Sequence, residues 1–231
     1  MIVSLMRLSN IYVDRGEVDE CLKVTAEGII LAKELKNHTS HAAFLRNKGS
    51  ALVEAGNYAD SRTSFSKALK ITEEIEDQDF KYLIKSEIYA SLVRYVQAQY
   101  EKAHKTEYKD SILYFGRKYY QESLKLSAVK FPRKKYGVAQ AARILGEAYV
   151  DCSEYKEAEK YFDISEKLMA NGNDNRVLAA LYNAKGKLEF QEGNNEKALE
   201  YYEKALKLST HFHYSDLTVC IYENFINFIK K

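Results

Sequence analysis

One pattern of glycines returns along this sequence every 40 residues, and it limits the folds that the chain can adopt. Gly146 and Gly186 are 40 residues apart, and Gly16 and Gly56 are separated by the same interval. A structural unit of this size cannot bury its apolar face alone, so neighbouring copies must stack on one another. The interval therefore predicts a protein built from stacked repeats.

The clearest copy spans residues 179–206 and predicts two amphipathic helices joined by a tight turn at residues 193–194. Gly186 and Ala198 are small, which lets the two helix backbones approach closely. Tyr202 supplies an aromatic side chain to fill the space around that contact. Related spacings recur around Gly146, around Gly49 and, less regularly, near the start of the chain.

These offsets resemble the tetratricopeptide repeat (TPR), whose pattern sets aromatic and small residues at fixed positions of a helical pair. The resemblance implies an all-α fold, a right-handed α-solenoid of about five helical pairs and a C-terminal helix, forming a single domain over residues 1–231. The interval exceeds the common TPR period of about 34 residues, as it does in TPR portions of bacterial peptide-receptor regulators. The predicted repeats cover about 2–35, 42–76, 79–130, 134–170 and 175–210, followed by a terminal helix at 214–230.

The third repeat is irregular. Gly49 and Gly146 are 97 residues apart, which is 17 more than two intervals. Most of the surplus falls in the first helix of that repeat, at 80–105, so we expect this helix to be elongated and to project past its neighbours. A loop is predicted at 171–174, where the sequence is rich in Asn and Gly.

Composition supports a helical protein. The chain has one Pro and ten Gly among 231 residues, and both residue types disfavour helix interiors. Its net charge of +2 offers no general attraction for nucleic acid. No apolar run approaches the roughly 18 residues needed to cross a membrane. Three widely spaced cysteines are interpreted as reduced thiols, which predicts a cytoplasmic protein.

Catalytic and metal-binding motifs are not found in the sequence. It contains no glycine-rich phosphate loop, no CxxC pair and no HExxH motif. His211 and His213 could form a metal pair, but no third ligand lies nearby in sequence. The basic residues between 125 and 135 could meet an acidic surface, although charge near a helix end is usually solvated. We therefore expect a protein that is not an enzyme and uses no cofactor or metal. The abrupt first helix and unpartnered last helix predict that the chain is part of a longer protein.

The resemblance places the first helix of each repeat on the concave face of the solenoid. Asparagine recurs at inward positions there, and an Asn side chain can both donate to and accept from a peptide backbone. Asn10 and Asn47 match two asparagines of the carboxylate clamp of chaperone-binding TPR domains, whereas Met6 stands where that clamp has its first lysine. The predicted binding residues are Arg7, Asn10, Arg46, Asn47, Ser50, Arg143, Glu147, Asn183, Lys187 and Asn224.

These residues predict a scaffold that binds a peptide or protein segment within a signalling or regulatory protein. The basic side chains among them, Arg46, Arg143 and Lys187, suit a ligand with an acidic side chain or a free carboxylate. The alternative is an architectural module that self-associates, for example as a homodimer, and takes no peptide. Neither hypothesis involves direct binding to nucleic acid or insertion into a membrane.

Overall fold

The computed structural model describes residues 1–103, 105–170 and 174–229. Within these ranges the chain forms eleven α-helices and no β-strand, which confirms the all-α prediction. The predicted loop at 171–174 and the predicted end of the last helix at 230 lie largely outside the described residues. The helices are α1 (Ile2–Arg15), α2 (Val18–Glu34), α3 (His38–Glu54), α4 (Tyr58–Thr72), α5 (Gln78–Ala103), α6 (Glu107–Lys125), α7 (Lys134–Asp151), α8 (Tyr155–Met169), α9 (Asn175–Gln191), α10 (Asn195–His211) and α11 (Ser215–Ile229).

Consecutive helices pack in pairs, from α1 with α2 through α9 with α10, and α11 packs against α10. The helices form two compact units, which we call unit 1 (Met1–Leu126) and unit 2 (Ser127–Lys231). Unit 1 holds the first three pairs, and unit 2 holds the last two pairs and α11. Each unit is a stack of helical pairs, as expected of a TPR solenoid. The prediction that residues 1–231 form a single solenoid stays a prediction.

The second repeat begins earlier than its sequence pattern indicates. Helix α3 starts at His38 rather than near residue 42, because the Asn37 side chain accepts a hydrogen bond from the Ser40 N–H at 2.9 Å. This is a normal N-cap, which satisfies one of the free N–H groups at a helix start. Residues 38–41, which the predicted bounds left between the first and second repeats, therefore form the first turn of a helix.

Helix α5 has 26 residues, whereas the other helices have 14 to 19, so the predicted elongation is confirmed. The added turns of α5 do not simply project into solvent, because they contact α4. Lys102, near the end of α5, lies 5.7 Å from the ring centroid of Tyr58 at the start of α4. Earlier along α5, Tyr95 packs edge-on against both Tyr58 and Phe65. The long helix thus covers the beginning of the preceding second helix.

Within three of the pairs, a glycine of the first helix lies under an aromatic ring of the second helix. A Cβ atom added at Gly186 would lie 2.8 Å from the Tyr202 ring, and one at Gly146 would lie 2.5 Å from the Phe162 ring. Gly49 meets Phe65 in the same way. In each case the two residues are 16 positions apart, and each ring is almost completely buried. The small residue predicted at 186 therefore does permit the close approach of two helices.

The first pair uses a different solution at the same two positions. Ser9 and Thr25 are also 16 residues apart and are fully buried. Their hydroxyl groups donate to backbone oxygens one turn earlier, Ser9 to Met6 at 2.9 Å and Thr25 to Leu22 at 3.1 Å. These local bonds explain how polar residues can replace the glycine and the aromatic ring, and also why the first copy is hard to recognise.

Four turns between paired helices need a left-handed backbone. Gly16, Gly56 and Gly193 have φ angles of 69°, 71° and 83° at this point, but the fourth pair has Ser153 with a φ angle of 62°. A side chain in this conformation brings its Cβ close to the following carbonyl oxygen, which glycine avoids. The turn of the fourth pair is therefore strained relative to its three equivalents.

Two glycine-to-alanine changes in α7 should have opposite effects on stability. Gly146→Ala places a Cβ 2.5 Å from the Phe162 ring and 3.2 Å from the Ala158 backbone oxygen, so it should destabilise the protein by about 1–3 kcal/mol. Gly137→Ala adds a Cβ with nothing within 4 Å, so it should stabilise the helix by roughly 0.5–1 kcal/mol. Urea unfolding followed by circular dichroism measures both. Equal shifts in the same direction would show that Gly146 does not lie at a helix crossing.

Ser153→Gly should raise stability, since it relieves the left-handed strain at the α7–α8 turn. The gain should be roughly 0.5–1 kcal/mol, because the greater freedom of glycine in the unfolded chain offsets part of the relief. Gly193→Ser at the equivalent α9–α10 turn is the matched control and should lower the urea midpoint. The interpretation fails if Ser153→Gly leaves the midpoint unchanged while Gly193→Ser lowers it.

Candidate binding surface on the first helices

An amide network around Asn47 joins the first helices α1 and α3 of unit 1. The Asn47 side-chain NH2 donates to Ser9 Oγ at 2.7 Å and to Asn10 Oδ1 at 2.8 Å. Asn47 is completely buried, and its Oδ1 atom has no hydrogen-bond partner among the described residues. The structure thus places Asn47 below the surface, between two repeats, and not on the open face where the sequence pattern set it. Its donor is already used inside the protein.

Cys21 of α2 lies directly under this network. Its thiol contacts the backbone oxygens of Ser9 and Asn47, each at 3.8 Å. Burial raises the pKa of the Cys21 thiol to about 11, and the positive charge of Arg46 opposes that rise only in part. The thiol is therefore protonated near neutral pH, and it acts as a small packing residue, not as a reactive group.

Two side-chain contacts join α3 to α5 with the same spacing. Ser50 Oγ lies 3.3 Å from Ser91 Oγ, and an Arg46 terminal nitrogen lies 3.3 Å from a Glu87 carboxylate oxygen. Both pairs are 41 residues apart. The start of α5 is therefore an almost regular copy of α3, and the surplus residues of the third repeat come after it. Ser50 itself is buried, so it packs between repeats as Asn47 does.

The same register brings Arg94 of α5 to this surface, and sequence reasoning missed it. The Arg94 side chain is exposed and makes no hydrogen bond or ion pair within the parts of the chain that the structure describes. Desolvation by the surrounding protein lowers the pKa of its guanidinium, and the nearby charge of Arg46 lowers it further, while the charges of Asp14 and Glu54 oppose this in part without forming an ion pair. A side chain that is open to solvent yet flanked by protein is typical of a recessed surface. The 41-residue spacing of Ser50 and Ser91 could have located it.

We define the first-helix surface of unit 1 as Arg7, Asn10, Arg46, Glu87 and Arg94. Arg7 and Asn10 are exposed and lie on one face of α1, because residues three apart are neighbours on a helix. Asn10 uses its oxygen to accept from Asn47, but its NH2 group donates to no atom among the described residues. Within the described ranges, this surface therefore combines one internally paired arginine with two unpaired arginines and a free amide donor.

A second asparagine pair joins the first helices of unit 2. The Asn224 NH2 on α11 donates to Asn183 Oδ1 on α9 at 3.1 Å. Asn183 is 6% exposed, whereas Asn224 is half-buried. The asparagines that the pattern singled out therefore meet as neighbours, Asn10 with Asn47 and Asn183 with Asn224. In each pair one member is buried and the other is accessible.

The predicted cations of unit 2 already have carboxylate partners. Arg143 lies 2.6 Å from Glu147 on α7, and Lys187 of α9 lies 2.7 Å from Asp151 at the end of α7. Burial alone would lower the pKa of Lys187, but the ion pair with Asp151 outweighs it and the pKa is raised. A carboxylate of a ligand would have to compete with these partners, so this surface is closer to electrically balanced than the pattern indicated.

Cys220 of α11 shares this surface with α7 and α9. Burial raises the pKa of its thiol, and the negative charges of Glu147 and Glu223 raise it further. The Cys220 side chain is nevertheless exposed, unlike Cys21.

Among the described residues, every helix is too short or too polar to span a membrane.

The sequence patterns that define the tetratricopeptide repeat match residues 137–211 and, separately, residues 30–74. Together they cover about half of the chain, and the paired helices carry the expected close contacts. The chain belongs to the tetratricopeptide repeat family. No curated protein gives a significant match to the sequence.

Solved TPR structures resemble the fold of this chain. A Signal Transduction ATPase with Numerous Domains (STAND) protein with a TPR sensor, from Pyrococcus horikoshii, has a TM-score of 0.73 and 16% identity over 95% of this chain. A TPR protein of Thermus thermophilus has a TM-score of 0.61 and 18% identity, covering 98% of this chain and all of that one. A Rap protein complexed with Competence and Sporulation Factor has a TM-score of 0.59 and 11% identity, covering 98% of this chain and 63% of that one. The chain spans only 31% of the Pyrococcus protein, and at these identities the likeness shows the fold alone.

Removing the buried amide should weaken unit 1 far more than removing its exposed partner. Asn47→Ala deletes the donor to Ser9 and Asn10 and should destabilise the protein by about 1–3 kcal/mol. Asn10→Ala is the matched control and should cost less than about 1 kcal/mol, since Asn47 keeps its bond to Ser9. Urea unfolding and the rate of Cys21 alkylation, in a background with Cys152 and Cys220 replaced by Ser, measure both. Equal losses would contradict a buried network centred on Asn47.

Proposed function

We propose that this chain is a non-catalytic scaffold that binds a peptide or protein segment on its first helices, within a signalling or regulatory protein. The observation that carries the proposal is the first-helix surface of unit 1. There, Arg94 is exposed, recessed and without an ion-pair partner among the described residues, next to the paired Arg46. An unpaired cation among protein atoms is best stabilised by an anionic partner from outside.

The same surface suits an extended segment with an acidic group. Arg94 would hold a carboxylate through two parallel hydrogen bonds, since the guanidinium group matches a carboxylate in geometry. The free NH2 of Asn10 would donate to a backbone carbonyl of the ligand, and Arg7 stands beside it on the same face of α1. Asn47 and Ser50 would act from below by holding the helices in register.

The proposal for unit 2 is more restricted. Lys187 and Arg143 are held by Asp151 and Glu147, so they would contact a ligand mainly through the edges of existing ion pairs. Asn224 is the accessible member of its asparagine pair and is the better candidate for a bond to a peptide backbone. We place the acidic group of the ligand on unit 1 for this reason.

Two of the structural relatives support a signalling context. The Pyrococcus protein is described as a signal transduction ATPase with a TPR sensor, and the Rap protein was solved with Competence and Sporulation Factor. This chain shares their fold and would serve as the ligand-binding part of a comparable regulator. A cytoplasmic location belongs to the same proposal.

A second candidate is self-association, favoured by the apolar face of α11. Val219, Tyr222, Ile226 and Ile229 are 46% to 66% exposed on that helix. Exposed apolar residues that cluster on one face mark interaction surfaces more often than solitary ones do. Two copies could cover these residues by packing α11 against α11, which would make the chain an architectural module.

Replacing Arg94 should abolish most of the binding of a peptide that uses the first helices. Peptides selected from a random library against the immobilised chain are titrated by calorimetry against wild type, Arg94→Ala and Asn10→Ala. Arg94→Ala should weaken binding by at least about tenfold, because a charge-assisted hydrogen bond is lost. Asn10→Ala should weaken it by a smaller factor.

Arg62→Ala on α4 is the matched control, since Arg62 is an exposed arginine on a second helix of the same unit. It should leave the affinity unchanged. Peptides that lose affinity with Arg62→Ala and keep it with Arg94→Ala would place the site on the second helices and overturn the proposal. Sedimentation equilibrium of the same samples tests the alternative, which requires a dimer that Ile226→Glu dissociates.

A further inference from the structure

A pocket with a strongly positive rim lies in unit 1 between α2, α3 and α4. It has a volume of about 360 Å³, and its apolar floor is formed by Ile29, Leu45 and Ile71. This volume is at the lower end of the range typical of ligand pockets, which is roughly 300–1,000 Å³. It is large enough for one or two apolar side chains but not for a whole folded element.

Four lysines surround this floor: Lys33 from α2, Lys48 from α3, and Lys67 and Lys70 from α4. None of the four lysines forms an ion pair within the described parts of the chain. No Asp or Glu from those parts lines the pocket. This is unusual for a chain with 35 basic and 33 acidic residues. On α5 of the same unit, by contrast, Lys81 and Lys85 both pair with Glu73. Clustered lysines without counter-charges repel one another, so an anionic ligand would stabilise them.

His41 also lines the pocket, and its pKa is affected by the positive charge around it. Burial lowers the pKa of its imidazole, and the charges of Lys33 and His38 lower it further. The one carboxylate that acts in the opposite direction is that of Glu74, which already lies 3.0 Å from the His38 ring. His41 therefore stays neutral at neutral pH and offers a hydrogen-bonding nitrogen without adding to the repulsion between the lysines.

From this arrangement we propose that the pocket between α2, α3 and α4 is a second binding site, for an acidic peptide segment that inserts an apolar side chain between the lysines. The floor decides the chemical class of the ligand. A small polyphosphate would be attracted by the lysines but would leave Ile29, Leu45 and Ile71 uncovered. A peptide with acidic residues on both sides of a leucine uses both parts of the pocket. Lysine suits this role because its long flexible stem adapts to carboxylates at several positions.

This site is separate from the first-helix surface. Helix α3 turns His41, Leu45 and Lys48 towards the pocket and Arg46 and Ser50 towards α5. A partner could therefore occupy one site without blocking the other. If the pocket does not bind, the proposal for the first helices is unaffected.

The test uses a fluorescein-labelled peptide in which a Leu-Leu pair is flanked by runs of Asp, measured by fluorescence anisotropy with the whole chain. Wild type should bind it, and Lys67→Glu/Lys70→Glu should weaken binding by at least about tenfold, since two attractions become repulsions. The same peptide with Leu-Leu replaced by Ser-Ser should also bind several-fold more weakly. In parallel, the His41 ring is followed by NMR, where bound acidic peptide should raise the pKa of His41.

Lys156→Glu/Lys167→Glu on α8 is the matched control. It reverses the charge of two exposed lysines. Lys167 lies in the last turn of α8, just as Lys70 lies in the last turn of α4. This variant should bind like wild type, and circular dichroism should show all variants folded.

Four results would overturn the proposal. The first is no binding to wild type, and the second is an equal loss in the α8 control, which would indicate non-specific attraction. The third is unchanged binding of the Ser-Ser peptide, or displacement of the label by tripolyphosphate as efficiently as by unlabelled peptide, which would make the pocket a simple anion site. The fourth is a loss of binding in Arg94→Ala with no loss in Lys67→Glu/Lys70→Glu, which would place the peptide on the first helices.

Discussion

The structure depends on how closely two helix backbones approach within each pair. At Gly49, Gly146 and Gly186 the first helix has no side chain, and a ring from the second helix occupies the space. Helix axes that come this close bury the apolar faces of both helices and fix the angle between them, because closely packed interiors have little room to adjust. The aromatic residue and the glycine thus form one unit, and a change in either would move both helices.

Contacts between the first helices of successive repeats are partly polar, as between Asn47 and Asn10 and between Asn183 and Asn224. Glycine–ring contacts occur within three of the pairs and also between two repeats, where Gly28 of α2 lies against the Phe44 ring of α3. Buried polar groups are costly unless they are hydrogen-bonded, so each such pair favours one register over others. The asparagines that resemble a ligand site therefore hold neighbouring repeats in register. Only the exposed member of each pair is accessible to a binding partner.

Charge is distributed unevenly over unit 1. Several lysines and arginines on α3 and on the start of α5 have acidic neighbours, as Arg46 has Glu87. Arg94 and the four lysines of the pocket between α2, α3 and α4, by contrast, form no ion pair among the described residues. Since desolvated or clustered cations cost free energy in the unbound chain, these are the positions at which an acidic partner would recover the most. A solenoid with two such sites could connect two partners, which is a common use of a scaffold.

The class of fold could be predicted from the amino acids alone, because the 40-residue interval and the spacing of 16 between glycine and ring depend only on local helix geometry. The long α5 could be located in the same way, since surplus length in a regular array must lengthen an element or a loop. The exposure of individual polar residues, in contrast, was settled by the packing of one repeat on the next. Asn10 and Asn47 look alike in the pattern, yet Asn10 is exposed to solvent and Asn47 is enclosed by α1 and α2. Arg94 was not recognised in the sequence because the surplus residues that follow it disturb the alignment of the third repeat. Burial and pairing depend on what the neighbouring repeat places opposite each residue, and no periodicity within one repeat contains that information.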